Sequence, residues 1–536
     1  MPSTPRTGGQ ILMDQLAIHG VDTIFSVPGE SFLPALDALI DTPQIRLITC
    51  RQEGGAAFAA DAYGKLTGRP GVCFVTRGPG ASNAAIGLHT ARQDSTPLLL
   101  LIGQVARGMR DREAFQEIEY RQLFLPLAKY VAEVDDPRRL PEFVARAMML
   151  AVSGRPGPVV LSLPEDMLAE VCAVPDAILA TRVQASPGAG DMARLRDLLT
   201  CAARPLLIVG GGDWTAHAAA DITAFAEANA LPVAAAFRAQ DIVDNQHPVY
   251  IGDLAPASGP QLIAQVQSSD LIICAGDRLS EIVTRDYTLF GIPTPAQPLI
   301  HIHPDPGELG RVYQPTLAIV SGMPEFAAAT RALAPVDASK RTTWGSQLRA
   351  AYLAQRTPPA ASSGVDLGAV VLQLRARLPE DAIISNGAGN YALFVQRYFT
   401  YRQYRTQLAP VNGAMGYGVP AAITAALVHP GRMVVAFAGD GCFLMSGQEL
   451  ATAVQQQLQF LVIVVNNGRY GTIRSHQERH YPGRVVGTAL INPDFAAYAR
   501  AFGCYGERVE TTDAFPAALE RALAYDGVAL LELVTE

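Results

Sequence analysis

Met433-Val434-Val435-Ala436-Phe437-Ala438-Gly439-Asp440-Gly441 and Phe460-Leu461-Val462-Ile463-Val464-Val465-Asn466-Asn467-Gly468 decide the fold. Each begins as an uninterrupted apolar run of strand length and ends on polar residues flanked by glycine. Between them, Ser446 to Gln457 reads as one amphipathic helix. A strand–helix–strand unit returns the chain in the same direction, so both polar tips reach the carboxyl edge of one parallel sheet. There an aspartate and an asparagine can share one hard cation, and glycines let backbone approach a phosphate.

The bulk of the chain fits that start. Its 536 residues suggest about three domains. Hydrophobic content of 49% with 17% charged residues describes a well-buried globular protein. A formal charge of −8 gives no basic footprint, so no nucleic-acid partner is expected. No apolar run approaches the roughly 18 residues of a membrane span. Met1 to Gln10 has neither a signal core nor an Arg-rich transit pattern, and the protein is expected in the cytoplasm. The seven cysteines form no CxxC pair, which suggests neither a zinc site nor a disulfide framework. His301 and His303 read as ordinary strand-end histidines, because no third ligand lies nearby in sequence.

Strand-like runs alternate with helical stretches throughout, which predicts an α/β protein with mostly parallel sheets. Two small, Pro- and Gly-rich stretches, 185–190 and 357–364, read as linkers. They divide the chain into 1–180, 190–340 and 365–536, and the first and third parts share an architecture by pattern. The middle part opens with Pro205 to Gly212, a strand running into a glycine turn. Such a turn either holds a dinucleotide phosphate or simply tightens a strand-to-helix connection.

In the first part Arg51-Gln52-Glu53-Gly54-Gly55-Ala56-Ala57 follows a strand-like run and opens a helix of small residues. Glu53 stands at its start, where the helix dipole favours negative charge. By itself that is an ordinary helix-start acid. The next strand ends in Thr76-Arg77-Gly78-Pro79-Gly80-Ala81-Ser82-Asn83, and Phe115-Gln116-Glu117 comes later. Together these motifs resemble the pyrimidine-binding domain of the thiamine-diphosphate enzyme family, in its acetolactate synthase group. The GDG and NNG stretches complete the family's pattern in its order, and Gly276-Asp277-Arg278 and His303-Pro304-Asp305-Pro306 extend it to the middle part.

The resemblance implies a thiamine-diphosphate-binding fold for the first and third parts and a Rossmann-like middle domain. It implies that Glu53 exchanges a proton with the cofactor's aminopyrimidine, a task suited to a glutamate in an apolar pocket. Gly78, Asn83 and Gln116 are expected near the cofactor and substrate. In the third part Asn412 to Pro420 matches the family's G-x-M-G-x-G-x-P stretch, so Gly413 would accept from the pyrimidine amine and Met415 would wedge between the two rings. Asp440, Asn467 and the Arg469 backbone oxygen would bind Mg2+ together with the diphosphate. Gly389, Gly439, Gly441, Tyr470 and Gly471 would lie on the phosphate side. So would Asn390 and Tyr391, which stand where the family carries glutamine and histidine.

The chain departs from acetolactate synthases at several places. Glu30 replaces a typical glycine; it reads either as a second carboxylate beside the reacting carbon or as a loop acid turned to solvent. His476 stands where the biosynthetic enzymes place a tryptophan, and with Arg474 it makes a more polar, anion-seeking pocket. The sequence closes directly on the strand-like Leu531 to Glu536, without the tail that covers the site in that group. FAD is left open: Arg278 and the glycine turn suit it, whereas Ile251-Gly252-Asp253-Leu254 lacks the family's flavin methionine and histidine. The expected activity is decarboxylation of a 2-oxo acid with transfer of the remainder to an acceptor. The alternative is a simple 2-oxo acid decarboxylase or another carboligase or lyase. A homodimer or homotetramer is expected, with Glu53 and Asp440 of one chain serving different active sites.

Overall fold

The structure, a computed structural model, describes residues 4–341, 343–358 and 364–535. Most of the expected second linker, 359–363, lies outside the described residues. The chain divides into two compact units. One holds the residues up to Val183 with Val419–Pro430 and Leu444–Gln459, and the other holds Gln184–Gly418, Gly431–Phe443 and Phe460 onward.

The first unit is built on a six-stranded sheet in the order Arg46–Thr49, Thr23–Ser26, Gly71–Val75, Leu98–Gln104, Pro158–Pro164, Tyr130–Glu133. All its pairings are parallel. Its apolar runs are continuous because both faces are covered. Leu99 and Leu101 join the core formed with Leu12, Leu16 and Val144, and Leu98, Leu100 and Ile102 join the one formed with Ala57, Ala84 and Leu88.

The helices Glu53–Thr67 and Gly78–Asp94 lie against each other on the second of these faces. Their small residues permit the approach: a Cβ on Gly87 would stand 2.3 Å from the Ala57 Cβ. The Gln52 side chain caps the first helix by accepting from Gly55 N, and Gly68 ends it at φ 74°. Two later segments complete this unit. The Thr424 hydroxyl donates to Ala59 O at 3.0 Å. Glu449, almost fully buried, accepts from the backbone N–H groups of Arg51 and Gln52 at 2.9 and 3.0 Å.

The second unit carries two further six-stranded parallel sheets. The central one runs Tyr250–Asp253, Val233–Ala235, Pro205–Val209, Leu271–Ala275, Leu299–His303, Leu317–Val320. In chain order that is 3-2-1-4-5-6, the doubly wound order of dinucleotide-binding folds. The last sheet runs Gln407–Leu408, Ile383–Asn386, Val434–Gly439, Phe460–Asn466, Val528–Val534, Tyr505–Val509. Counted from its own first strand this is 2-1-3-4-6-5, and the sheet of the first unit has the same order. The architecture shared by the first and third parts is therefore one topology used twice.

The apolar runs that end on Gly439 and Asn466 are adjacent, in-register parallel strands, with Gly439 opposite Val465. The helix expected from Ser446 to Gln457 is shorter. Gly447–Glu449 forms a 3-10 turn and only Leu450–Gln455 is α-helical. Gln457, at φ 53°, turns the chain out of the helix toward the next strand. No helix among the described residues is long and apolar enough to cross a membrane.

Candidate active site

In an open parallel sheet, ligands bind beyond the carboxyl ends of the strands, where the strand order reverses. In the last sheet that point lies between Ile383–Asn386 and Val434–Gly439. A cavity of about 250 Å³ opens there, and its lining includes Gly389, Gly413, Met415, Gly439, Asp440 and Asn467. Gly413 has φ 70°, and a Cβ on it would enter open space rather than protein. Gly441 is glycine for a different reason: a Cβ there would stand 2.4 Å from the Tyr470 ring. Tyr470 can thus lie over the turn that carries Asp440.

Asp440 is buried, and its Oδ1 accepts from Gly441 N at 2.8 Å. Its Oδ2 accepts from Gly468 N and from Asn492 Nδ2, both at 2.8 Å. Asn467 Oδ1 takes only a long bond, 3.3 Å, from Arg469 N. Asp440, Asn467 and Arg469 all line the cavity, and the groups expected to bind from them, a carboxylate, a side-chain amide oxygen and a backbone carbonyl, are all oxygens, the chemistry of a hard cation. Among the described residues no group of three His, Cys, Asp or Glu side chains could hold a metal. One carboxylate in a glycine-lined cavity therefore suits Mg2+ shared with phosphate oxygens better than an all-protein cage.

The expected phosphate-side residues sit around this cavity in unequal ways. Asn390 starts the helix Asn390–Tyr398, and its Oδ1 accepts from the Thr472 hydroxyl at 2.7 Å. Tyr391 is buried, with its ring against Gly389 and Gly439 and its hydroxyl 3.4 Å from the Cys442 thiol. It forms a wall more than it offers a donor. Burial pushes the Cys442 thiol up, so that sulfur is a packing group and not a nucleophile. Gly471, Thr472 and Ile473 close one side. His476 lies a turn further along the helix Gly471–His480, exposed and stacked on His480 at 6.1 Å, and it does not line the cavity. Arg474 pairs with Glu478 at 2.9 Å.

The first unit gathers its candidate residues at the corresponding edge of its own sheet. Glu53 is half-buried at the first position of its helix, and its Oε2 accepts from Asn83 Nδ2 at 2.9 Å. Its Oε1 lies over Gly80, where a Cβ would stand 3.4 Å away. Gly78 N donates to Gln116 O at 2.9 Å, and Gln116 itself holds φ 66°. The loop carrying Phe115 and Gln116 is clasped by Glu117, which accepts from Asp111 N, Ala114 N and Arg110 Nε. Those bonds, the backbone one from Asp111 foremost, hold the Glu117 carboxyl below its usual range.

Glu30 stands beyond Thr23–Ser26 at the reversal point of this sheet, with its side chain 68% exposed. It is not a free loop acid, because Arg77 reaches it at 3.2 Å and also holds Glu165 at 2.5 Å. Arg77, Glu449, Thr472 and Asn492 were not singled out by sequence reasoning. Arg77 sits inside the stretch Thr76 to Asn83, next to its glycines. The other three are ordinary polar residues in sequence and acquire partners only when distant segments meet.

In the central sheet the glycine turn is filled by its own chain. A Cβ on Gly211 would stand 2.1 Å from Gly276 O, and Trp214 Nε1 donates to Gly210 O at 2.8 Å. These glycines are explained by close packing at the sheet edge. Gly252 lies against Tyr352, and the buried Asp253 accepts from Gln396. His301 is buried and bonded to Asp277 O at 2.9 Å, while His303 accepts from Asp305 N at 3.0 Å.

Three thiamine pyrophosphate enzyme models match: the N-terminal TPP binding domain over residues 6–123, the central domain over 192–330, and the C-terminal TPP binding domain over 387–533. An acetolactate synthase large subunit of Corynebacterium glutamicum is 34% identical over 535 residues, covering 96% of this chain and 84% of the relative. The acetolactate synthase isozyme 2 large subunit of Escherichia coli is 32% identical over 529 residues, covering 98% and 95%. An acetolactate synthase large subunit of Parasynechococcus marenigrum is 33% identical, covering 95% and 84%.

Proposed function

The chain belongs to the thiamine-pyrophosphate enzyme family, in the acetolactate synthase group, and from that we propose a Mg2+- and thiamine-diphosphate-dependent enzyme that decarboxylates a 2-oxo acid and joins the remainder to an acceptor. The observation that supports it best is the coincidence of an all-oxygen cation set with a glycine-lined cavity at a sheet's reversal point.

Asp440, Asn467 and the Arg469 carbonyl would hold Mg2+ against the diphosphate, with Gly389, Gly439, Gly441, Asn390, Tyr470 and Gly471 around it. Gly413 and Met415 would receive the rings. The cofactor, when bound, supplies a nucleophilic carbon and a sink for the electrons released on decarboxylation. Glu53 holds and returns the proton at its carboxyl. The Asn83 amide engages Oε2 and leaves Oε1 over Gly80, open to a partner. Ile473, Val465 and Met415 give the cavity an apolar wall that limits water. Gln116 is proposed to meet substrate because its strained loop is held beside Gly78, whereas His476 stays outside the cavity lining and is given no such role.

The complete site is proposed to form between two copies of the chain, Glu53 coming from one and Asp440 from the other, in a homodimer or homotetramer. A cytoplasmic enzyme acting on a small-molecule 2-oxo acid is part of the same reading. No step is assigned to FAD, since the central glycines are accounted for by packing; flavin absorbance in the purified protein would reverse that.

The deciding experiment is incubation with pyruvate, thiamine diphosphate and Mg2+ followed by product analysis. Acetolactate is expected. Acetaldehyde alone would move the reading to a simple decarboxylase, in which Glu30, held by Arg77, delivers the proton. No turnover of pyruvate would sink both and point to another donor.

A further inference from the structure

Asp440 does not stand alone at the end of its strand. It is the terminus of a hydrogen-bonded chain of side chains, buried at both ends and half-buried between, that begins on the last strand. Glu532, fully buried on Val528–Val534, accepts from Asn466 Nδ2 at 2.7 Å and from Phe495 N at 3.2 Å. Asn466 Oδ1 in turn accepts from Asn492 Nδ2 at 2.9 Å. The same Asn492 nitrogen donates to Asp440 Oδ2 at 2.8 Å. Asn492 is brought there because Leu490 N bonds Gly468 O and Tyr470 N bonds Thr488 O, pairing its segment with the loop after Phe460–Asn466.

The chain has a direction. Glu532 receives two donors, so the amide facing it must present N–H and not oxygen. That places Asn466 Oδ1 toward Asn492, which must then present its own N–H. The same N–H group satisfies Asp440. Were the Asn466 amide reversed, its N–H would face the Asn492 N–H. Asn492 would have to turn its oxygen toward the Asp440 carboxylate, an acceptor against an acceptor. The buried glutamate thus sets the polarity of two neutral amides and, through them, of the carboxylate.

The effect on Asp440 is unequal at its two oxygens. Oδ2 takes two hydrogen bonds, from Gly468 N and Asn492 Nδ2. Oδ1 takes one, from Gly441 N. We propose that Glu532, Asn466 and Asn492 are positioning residues that saturate Asp440 Oδ2 and leave Oδ1 as the Asp440 oxygen open to a cation, an arrangement that would favour Mg2+ over Ca2+. The physical basis is coordination. Mg2+ demands a compact octahedron, whereas Ca2+ takes more oxygens and gains from a carboxylate that can bind through both. An Oδ2 filled by protein donors removes that option. This inference rests on the reading of Asp440 as a cation ligand.

The test is calorimetric titration of Mg2+ and of Ca2+ into the metal-free protein with saturating thiamine diphosphate, for wild type, Asp440→Asn, Asn492→Ala and Glu532→Gln. Removing partners one layer out from a ligand typically weakens metal binding about 10- to 100-fold. Asn492→Ala should therefore lose Mg2+ affinity by at least about 10-fold, with a smaller loss for Ca2+, because Oδ2 becomes available. Glu532→Gln should move both in the same direction. Asn492 is half-buried, so its alanine variant carries the test even if Glu532→Gln does not fold. Equal losses for the two ions, or unchanged Mg2+ affinity in Asn492→Ala beside a large loss in Asp440→Asn, would overturn the positioning role. Undiminished Mg2+ binding in Asp440→Asn would instead overturn the assignment of Asp440 beneath it.

Discussion

Glu53 and Glu30 are two carboxylates on edges of the same sheet, and their surroundings separate them. Glu53 has a neutral amide donor on one oxygen and a glycine beside the other, so it can gain and lose a proton without breaking an ion pair. Glu53→Gln should keep thiamine-diphosphate binding and lower turnover on the order of 10²- to 10⁴-fold, the usual weight of a positioned acid–base group. Binding calorimetry beside a rate assay reads both, and full activity would remove Glu53 from the mechanism. Glu30 is held by Arg77. If it hands a proton to the substrate carbon, Glu30→Gln should cut any aldehyde product relative to the ligated one. An unchanged product ratio by chromatography would return it to the status of a loop acid.

At the scale of elements, the helix that begins with Glu53 depends on two contacts. One is the crossing with Gly78–Asp94, where Gly87 meets Ala57. A valine at Gly87 should cost about 1–3 kcal/mol through overpacking, seen as a lower unfolding midpoint in denaturant. The other is Glu449, whose carboxylate receives two backbone N–H groups just before the helix and the Thr452 hydroxyl at 2.6 Å. Burial holds its carboxyl above the usual range. Glu449→Ala leaves those backbone donors orphaned, and each such donor costs about 1–3 kcal/mol when buried. A variant as stable as wild type would show that water takes over both bonds.

At the scale of the molecule, two expectations separate assembly from stability. If Glu53 and Asp440 of one chain act in different sites, two inactive variants should complement each other. Glu53→Gln mixed with Asp440→Asn and allowed to reassociate should recover about a quarter of wild-type activity by random pairing of protomers. No recovery after demonstrated exchange would mean that both residues come from one chain. Stability should also depend on pH through Asp253, which burial pushes up to about 6. An unfolded aspartate releases its proton near 4, so the folded state keeps it over the interval between. The stabilisation is full below about pH 4 and lost as pH rises through about 6, a change of about 3 kcal/mol. Asp253→Asn should flatten that part of the profile in denaturant melts at several pH values.

The fold class and the two apolar strands with their polar tips at Asp440 and Asn467 were legible in the sequence because they are local, whereas Glu53 and Gly413 stood out only through the family motifs that contain them. Strand length, periodicity and glycine spacing are written along the chain, and the topology carries their ends to one edge. The strand order itself was not legible, since the same alternation gives 3-2-1-4-5-6 in the central sheet and 2-1-3-4-6-5 in the other two. Tertiary structure alone decided the rest. It turned Tyr391 toward Cys442 and set His476 outside the cavity lining. It joined Arg77 to Glu30, laid Glu449 under the helix that begins with Glu53, and strung Glu532, Asn466 and Asn492 to Asp440. Those arrangements come from hydrogen bonds between segments tens to hundreds of residues apart. A buried polar atom must find a partner wherever packing places one, and nothing in the residue's own neighbourhood says which it will be.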